Sequence, residues 1–296
     1  MCPRGSSAGW CLVQPEFRWA DLAVRVTSAL GGGTFRPVRW ALAISLTAVV
    51  AQAAPVVVID PGHGGAQEGA ASPSGALEKN VALAVSKRLK GVLEKNFGAT
   101  VRLTRDADAL VHLSQRVELA NKLKPDVFIS IHCNSMPKHR QQLVNEGVET
   151  YFLSASASGE DAKKVAAREN AEGQTQTKGP TGDTLAFILA DLQRSETHVD
   201  SSRLAYAVHE AVVTQTGAAN RGVQQAPFFV LMGLDAPAVL VEIGFISHPT
   251  EGPKLVDVAY QEQVAAAIAQ GISLFLAQVD ARDVKKGAKK EAAAAP

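Results

Sequence analysis

At 296 residues with 46% hydrophobic side chains, the chain can bury one well-packed core and one small extra segment. With 30 basic residues against 29 acidic ones the formal net charge is +1, which removes any overall electrostatic case for nucleic acid, and aromatics at 5% leave no stacking platform for single strands. The cysteines Cys2, Cys11 and Cys133 show no CxxC or finger spacing, so a disulfide scaffold is excluded and any zinc falls to histidine and carboxylate.

Residues 1–35 carry no helical or strand period. Arg36 and Arg39 then precede an apolar run from Trp40 to Val50 that ends on Ala51-Gln-Ala53, the pattern of a secretory signal peptide over residues 36–53. A bilayer span takes roughly 20 apolar residues, so the run is too short to anchor the chain comfortably. The N-terminal leader is therefore placed at 1–53, with the true start expected further down than Met1. A mature chain beginning near Ala54 belongs outside the cytoplasm, most simply in a periplasm. There Cys133 reads as a small buried hydrophobe.

From residue 54 to 279, strands and helices alternate. Val56-Val-Val-Ile59 is a buried strand that stops on the turn cluster Asp60-Pro-Gly62 and leaves His63 at its carboxyl end, between glycines. A helix follows from Leu77 to Lys90, a strand over residues 98–104, an amphipathic helix at 113–123 and a strand over 126–132 that again ends on histidine. Further strands are expected at 147–153, 226–231 and 238–243, with a last helix over 260–279. Residues 154–225 contain no strand pattern and are read as a helical insertion, with helices at 160–172, 184–192 and 198–216. The Lys- and Ala-rich end, 280–296, is expected to be a disordered, solvated tail. The fold class is α/β: a twisted, mostly parallel sheet of about six strands flanked by helices, with the insertion over its active edge.

Strands sharing a parallel sheet deliver their carboxyl ends to one edge, so His63, His132 and Glu242 can converge there. Glu78 opens the first helix and points back toward the same edge. A first-turn glutamate ordinarily complements the helix dipole, but Glu242 interrupts the apolar run Val239-Leu-Val-Glu-Ile243, where an unpaired carboxylate is rare. Two imidazoles and one carboxylate with an open fourth position make a catalytic zinc site rather than a structural one. A separate carboxylate, with its pKa raised by burial, suits proton transfer during amide hydrolysis.

These residues lie in four separated motifs. They are Ile59-Asp-Pro-Gly-His-Gly-Gly65, Glu78-Lys79, Ser130-Ile-His-Cys-Asn-Ser135 and Val241-Glu-Ile-Gly-Phe-Ile-Ser-His-Pro249, supported by Thr104-Arg105, Arg116 and Ala120-Asn121. In this order, across residues 55 to 278, the chain resembles the zinc-dependent N-acetylmuramoyl-L-alanine amidases of bacterial cell walls, of the amidase-3 type. The resemblance implies one zinc ion held by His63, Glu78 and His132, with Glu242 as the catalytic carboxylate. It implies hydrolysis of the amide between N-acetylmuramic acid and the first L-alanine of the peptidoglycan stem, in wall remodelling and daughter-cell separation. The insertion is similar to that of the cell-division members, in which a helix covers the cleft until an activator protein displaces it. Glu169, with Glu172 as second choice, then stands where an inhibitory glutamate would reach the zinc. Those members often carry an additional wall-targeting domain, absent from this chain, and Cys133 stands where a smaller residue is commoner.

Arg105 has two uses open to it, holding the end of the second strand or contacting an anionic peptide as a substrate-binding residue. His112, His139, His198, His209 and His248 have no partners at ligand spacing. A zinc peptidase or carboxypeptidase acting on wall peptides would suit the same residue set, and a non-catalytic wall-binding protein is the reading from another class; the latter predicts a missing ligand or base, and none is missing.

Overall fold

A computed structural model describes residues 53–171 and 196–294. The leader as far as residue 52, Glu172 and the helix expected at 184–192 lie outside the described residues. Six strands form one sheet: β1 (Val56–Pro61), β2 (Thr100–Leu103), β3 (Val127–Asn134), β4 (Val148–Leu153), β5 (Asn220–Ala226) and β6 (Ala238–Phe245). Their order is β2-β1-β3-β6-β4-β5, with every pairing parallel except β4 with β6.

Alternation along the strands divides the core into two layers. On one face Val57, Ile59, Ile129 and Val241 pack with α1 (Glu78–Phe97), α5 (Glu196–Thr216) and α7 (Val258–Ala294). On the other, Val58, Phe128 and Leu240 meet α2 (Leu113–Leu123), α4 (Glu160–Ala171) and a 3₁₀ turn at Phe229–Leu231. Two short helices, α3 (His139–Gln142) and α6 (Glu251–Val256), sit in the connections after β3 and β6. Cys133 is a free, buried thiol in the first layer, as its strand position requires.

Three sequence-based expectations are corrected. The strand expected at 226–231 is β5, at Asn220–Ala226; the apolar Phe228-Phe-Val-Leu231 run instead turns into the core as a 3₁₀ segment. Consequently the strandless insertion over 154–225 contains an edge strand and also α5, whose Leu204, Ala205, Val208 and Val212 belong to the main core beside α7. Among the described residues of that stretch, α4 retains the character of a segment laid over the edge. The tail expected from residue 280 continues as the end of α7, because its Ala, Lys and Glu residues are strong helix formers. Within α7, Val258–Lys286 contains an 18-residue window of mean hydropathy 1.5, long and apolar enough by composition to cross a bilayer. Its Val264, Ala267, Ile268, Ile272 and Phe275 are instead spent on the core, packed against α1 and α5.

The turn after β1 is held from beneath by two buried guanidinium groups. Arg116 donates from Nη1 to Asp60 Oδ1 (2.6 Å) and to the Pro61 carbonyl (2.7 Å), from Nη2 to the His63 carbonyl (2.7 Å), and from Nε to the Val111 carbonyl (2.9 Å). Arg105 donates to the carbonyls of Pro61 (3.0 Å), Gly62 (2.6 Å) and Lys79 (2.8 Å), tying the turn to the start of α1. Burial on its own would raise the Asp60 carboxyl; the Arg116 charge and hydrogen bonds from Thr104, Arg116 and Ser130 outweigh it and hold the group below its ordinary value. A carboxyl depressed on folding adds stability above its unfolded pKa of about 3.9, and that stability is lost as the pH falls. Asp60→Asn leaves Arg116 buried without its counter-charge and is expected to destabilise the protein by about 3–5 kcal/mol in denaturant titration at pH 7. The gap between variant and parent should narrow below about pH 4, and a gap that stays constant would contradict the ion-pair account.

Candidate metal centre and catalytic carboxylate

Each residue of the constellation arrives by a different element. His63 leaves β1 through the turn and adopts a φ of +58°, a conformation unusual for a residue with a Cβ. The arginine grip on the Pro61, Gly62 and His63 carbonyls over-determines that backbone. Glu78 opens α1 and is fully buried; its Oε1 accepts from the Cys133 N–H at 2.9 Å and its Oε2 from the Ala70 N–H at 2.8 Å. Both oxygens are thus aimed by backbone rather than left to the helix dipole. His132 faces the α4 side of β3, opposite its neighbours Ile131 and Cys133. Two glycines make room: a Cβ on Gly62 would lie 2.5 Å from the His132 ring, and one on Gly69 would lie 2.6 Å from both Glu78 Oε2 and the His63 ring.

The fourth member is Glu169 on α4. His63, Glu78, His132 and Glu169 each present one ligand atom, and these atoms lie within 4.8 Å of one another, all on buried side chains. Glu78 Oε1 is 2.9 Å from His63 Nε2 and 3.1 Å from His132 Nδ1; Glu169 Oε2 is 3.4 Å and 2.9 Å from the same two nitrogens. A tetrahedral ion with bonds of about 2.0–2.1 Å separates its ligands by roughly 3.3 Å, so the spacing fits. Glu169 Oε2 is buried with no directed hydrogen bond although an imidazole nitrogen lies 2.9 Å away. That is how a ligand atom aimed at a common centre behaves. The four residues could hold a metal ion, and two imidazoles favour a zinc-like ion over magnesium or calcium.

Charge in the cluster is mutually compensated. Burial would raise Glu78, but His63 and His132 hold its carboxyl well below the usual range. Burial would lower His132, but Glu169 and Glu78 hold it well above. Glu169 is likewise brought down to about 2, chiefly by His132 acting against burial.

Glu242 stands next to the cluster. On β6 it is in register with His132 on one side and with Glu149 of β4 on the other, giving a row His132-Glu242-Glu149 across the sheet on the α4 face. Burial pushes its carboxyl up to about 8. Its Oε1 accepts from Arg168 Nη2 at 3.3 Å, and its Oε2 has no hydrogen-bond partner. A carboxylate with a free oxygen and a raised pKa, beside a candidate metal centre, is equipped to take and return a proton.

The sequence-derived set His63, Glu78, His132, Glu242 and Glu169 therefore comes together. Of the two uses open to Arg105, the structure shows the structural one: it is 4% exposed, burial draws its pKa down to about 10, and its N–H groups are spent on backbone carbonyls. It does not face the cleft. Sequence reasoning missed Arg168, Asn134 and Glu149. Glu149 carried a readable signal, an acidic residue inside the apolar strand Val148-Glu-Thr-Tyr-Phe-Leu153, the same argument that singled out Glu242.

Comparison with known proteins agrees with this geometry. Residues 57–274 match the family model described as Amidase_3, N-acetylmuramoyl-L-alanine amidase. The N-acetylmuramoyl-L-alanine amidase AmiA of Escherichia coli (strain K12) is 36% identical over 220 residues, 73% of this chain and 74% of that protein. AmiC of Neisseria meningitidis serogroup B is 32% identical over 226 residues, covering 75% of this chain and 53% of its own. Among solved structures, the N-acetylmuramoyl-L-alanine amidase from Clostridium difficile 630 superposes with a TM-score of 0.57 at 28% identity, covering 75% of this chain and 97% of that one. AmiC2 of Nostoc punctiforme gives a TM-score of 0.56 at 32% identity, with the same 75% and 97% coverage.

Zinc at about 100 times its dissociation constant is expected to stabilise chelator-treated protein by about 2.7 kcal/mol, a rise in melting temperature of roughly 5–10 °C by scanning calorimetry. Magnesium should give no such rise, and His132→Ala should abolish the response to zinc. Equal responses to both metals would exclude the imidazoles as ligands.

Proposed function

The chain belongs to the Amidase_3 family of N-acetylmuramoyl-L-alanine amidases, and from that premise we propose that His63, Glu78 and His132 hold one zinc ion and that Glu242 is the catalytic carboxylate. The bond cleaved is the amide joining N-acetylmuramic acid to the L-alanine of the peptidoglycan stem. The observation that carries the assignment is the convergence of three buried ligands from β1, α1 and β3 beside a separate buried carboxylate with a free oxygen.

Bound zinc supplies a lowered pKa for water and polarisation of the scissile carbonyl. The chain's own residues do the rest. The Cys133 and Ala70 N–H groups fix both oxygens of Glu78, which holds its carboxylate beside the His63 and His132 nitrogens of the same cluster. Glu242 takes the proton of the attacking water and returns it to the nitrogen of the departing L-alanine. Its buried, apolar strand keeps that proton on the reaction path by excluding bulk water.

α4 bears on regulation. Glu169 fills the remaining side of the ligand cluster, and Asn170 fastens the helix by donating to the Pro227 carbonyl (2.7 Å) and accepting from the Phe229 N–H (2.8 Å). With that side occupied by a carboxylate, water is kept from the site. The protein is therefore read as autoinhibited, released when a protein activator draws α4 away, and used in wall remodelling at daughter-cell separation. The leader over residues 36–53 supports export, to a periplasm in the simplest case.

Glu242→Gln is expected to retain zinc by elemental analysis while lowering release of free stem peptides from sacculi by about 10²–10⁴-fold. Retained activity with zinc bound would remove Glu242 from its role. Products in which the stem is shortened and still attached to the glycan would point instead to a peptidase. Glu169→Ala is expected to raise basal activity without any activator, by about 5- to 150-fold. Unchanged basal activity would leave α4 a plain docking surface.

A further inference from the structure

Arg168, the neighbour of Glu169 on α4, uses every guanidinium nitrogen inside the cleft. Nε donates to Glu169 Oε1 (2.7 Å), Nη1 to Asn134 Oδ1 and the Ser135 carbonyl (both 3.1 Å), and Nη2 to Glu242 Oε1 (3.3 Å). The burial of Arg168 is offset by the charges of Glu169 and Glu242, which hold the guanidinium firmly protonated.

The acceptors it meets are built rather than incidental. Asn134 is 1% exposed and lies at the register shift where β3 departs from β6. Its Nδ2 donates to Glu149 Oε2 at 2.9 Å, and the Glu149 carboxylate is held in turn by the Tyr151 hydroxyl (2.6 Å) and Arg221 Nε (2.5 Å). With the amide nitrogen committed inward, Oδ1 is turned toward the cleft. The Ser135 carbonyl stands beside it, so two acceptors face the same donor group, next to the catalytic carboxylate. Beyond them opens a cavity of about 610 Å³ lined by Lys138, Glu149 and Arg221 of the core and by Asp161 and Lys164 of α4.

Among the described residues the catalytic core gives this pair one donor, the Ser135 N–H to Asn134 Oδ1 at 2.7 Å, and the other donor comes from the removable helix. Once α4 leaves, Asn134 Oδ1 keeps the Ser135 N–H alone and the Ser135 carbonyl loses Arg168, so both face the cleft with room for further donors. A stem peptide supplies them as backbone N–H groups next to the scissile amide.

We propose that Asn134 Oδ1 and the Ser135 carbonyl form the subsite that receives the backbone N–H donors of the stem peptide, and that Arg168 occupies it as a mimic of those donors. The inference rests on the amidase reading and deepens it. α4 then blocks both halves of the site, Glu169 at the ligand cluster and Arg168 at the peptide subsite. Asn134 is a substrate-binding residue, and Glu149, Tyr151 and Arg221 are its positioning residues.

The test is a cycle between protein and substrate, run on zinc-loaded full-length protein carrying Arg168→Ala and Glu169→Ala. The substrates are a soluble N-acetylmuramoyl peptide and its analogue methylated on the amide nitrogen of the second stem residue. Methylation is expected to raise KM about tenfold with kcat held within about threefold. Asn134→Ala should do the same to the parent substrate, and both changes together should cost no more than either alone. Additive losses, a fall in kcat at constant KM, or an unchanged KM for the methylated substrate would each overturn the subsite. If Asn134→Ala does not fold, the methylated substrate decides the question on the Asn134 protein. If releasing α4 leaves activity no higher than in the unaltered protein, the inhibitory reading fails while the cycle still reports on the subsite. Should turnover be too slow, calorimetric binding of the same two ligands to Glu242→Gln protein reads the cycle instead.

Discussion

The grip of two buried arginines on one turn is the constraint on which the rest of the site depends. Asp60-Pro-Gly-His63 must end a central strand and then hold a histidine with a left-handed backbone, a conformation that would not persist unsupported. Arg116 and Arg105 supply that support by saturating the carbonyls of Pro61, Gly62 and His63, and Asp60 compensates the charge from within. Buried charges of this kind add little net stability by themselves, since desolvation offsets most of the attraction. Their contribution is geometric: they bring the end of β2, the start of α2 and the start of α1 to the turn, so His63 and Glu78 are placed by one network.

The sheet does the remaining placement. Because β4 runs antiparallel beside β6, the row His132-Glu242-Glu149 crosses three strands in a line on the face that α4 covers. One imidazole, one raised carboxylate and one paired carboxylate thus lie side by side, each in a different electrostatic state. Glu149 is paired with Arg221 and accepts from hydroxyl and amide donors, whereas among the described residues Glu242 has the single guanidinium of α4. The difference separates a carboxylate that holds structure from one free to exchange a proton.

α4 joins the packing of that face to its chemistry. Its Ala162, Val165 and Ala166 seat it on Tyr151, Phe228 and Val230, while Arg168 and Glu169 reach past that seam into the cleft. Its small contact residues and charged surface give it far less apolar anchorage than α1, α5 or α7. A helix held this lightly, yet satisfying buried groups of both signs, is suited to a bistable element.

Much of this was legible in the sequence. Buried parallel strands are continuous apolar runs, so β1, β3 and β6 stood out together with the polar residue that ends or interrupts each, and that was enough to nominate His63, His132 and Glu242. β5 was not legible: Asn220-Arg-Gly-Val-Gln-Gln-Ala226 is a polar, half-buried edge strand, and the apolar Phe228–Leu231 run that drew attention instead fills the core without pairing. Apolarity reports burial, not hydrogen bonding. The sequence alone determined which chemical groups stand at the ends of strands, because strand polarity and turn chemistry are local properties. Only the tertiary structure decided that Arg105 supports rather than binds, that Glu149 is paired while Glu242 is not, and that Arg168 reaches Asn134. Those outcomes depend on how β4 pairs with β6 and how α4 crosses them, contacts between residues far apart in the chain that no local pattern encodes.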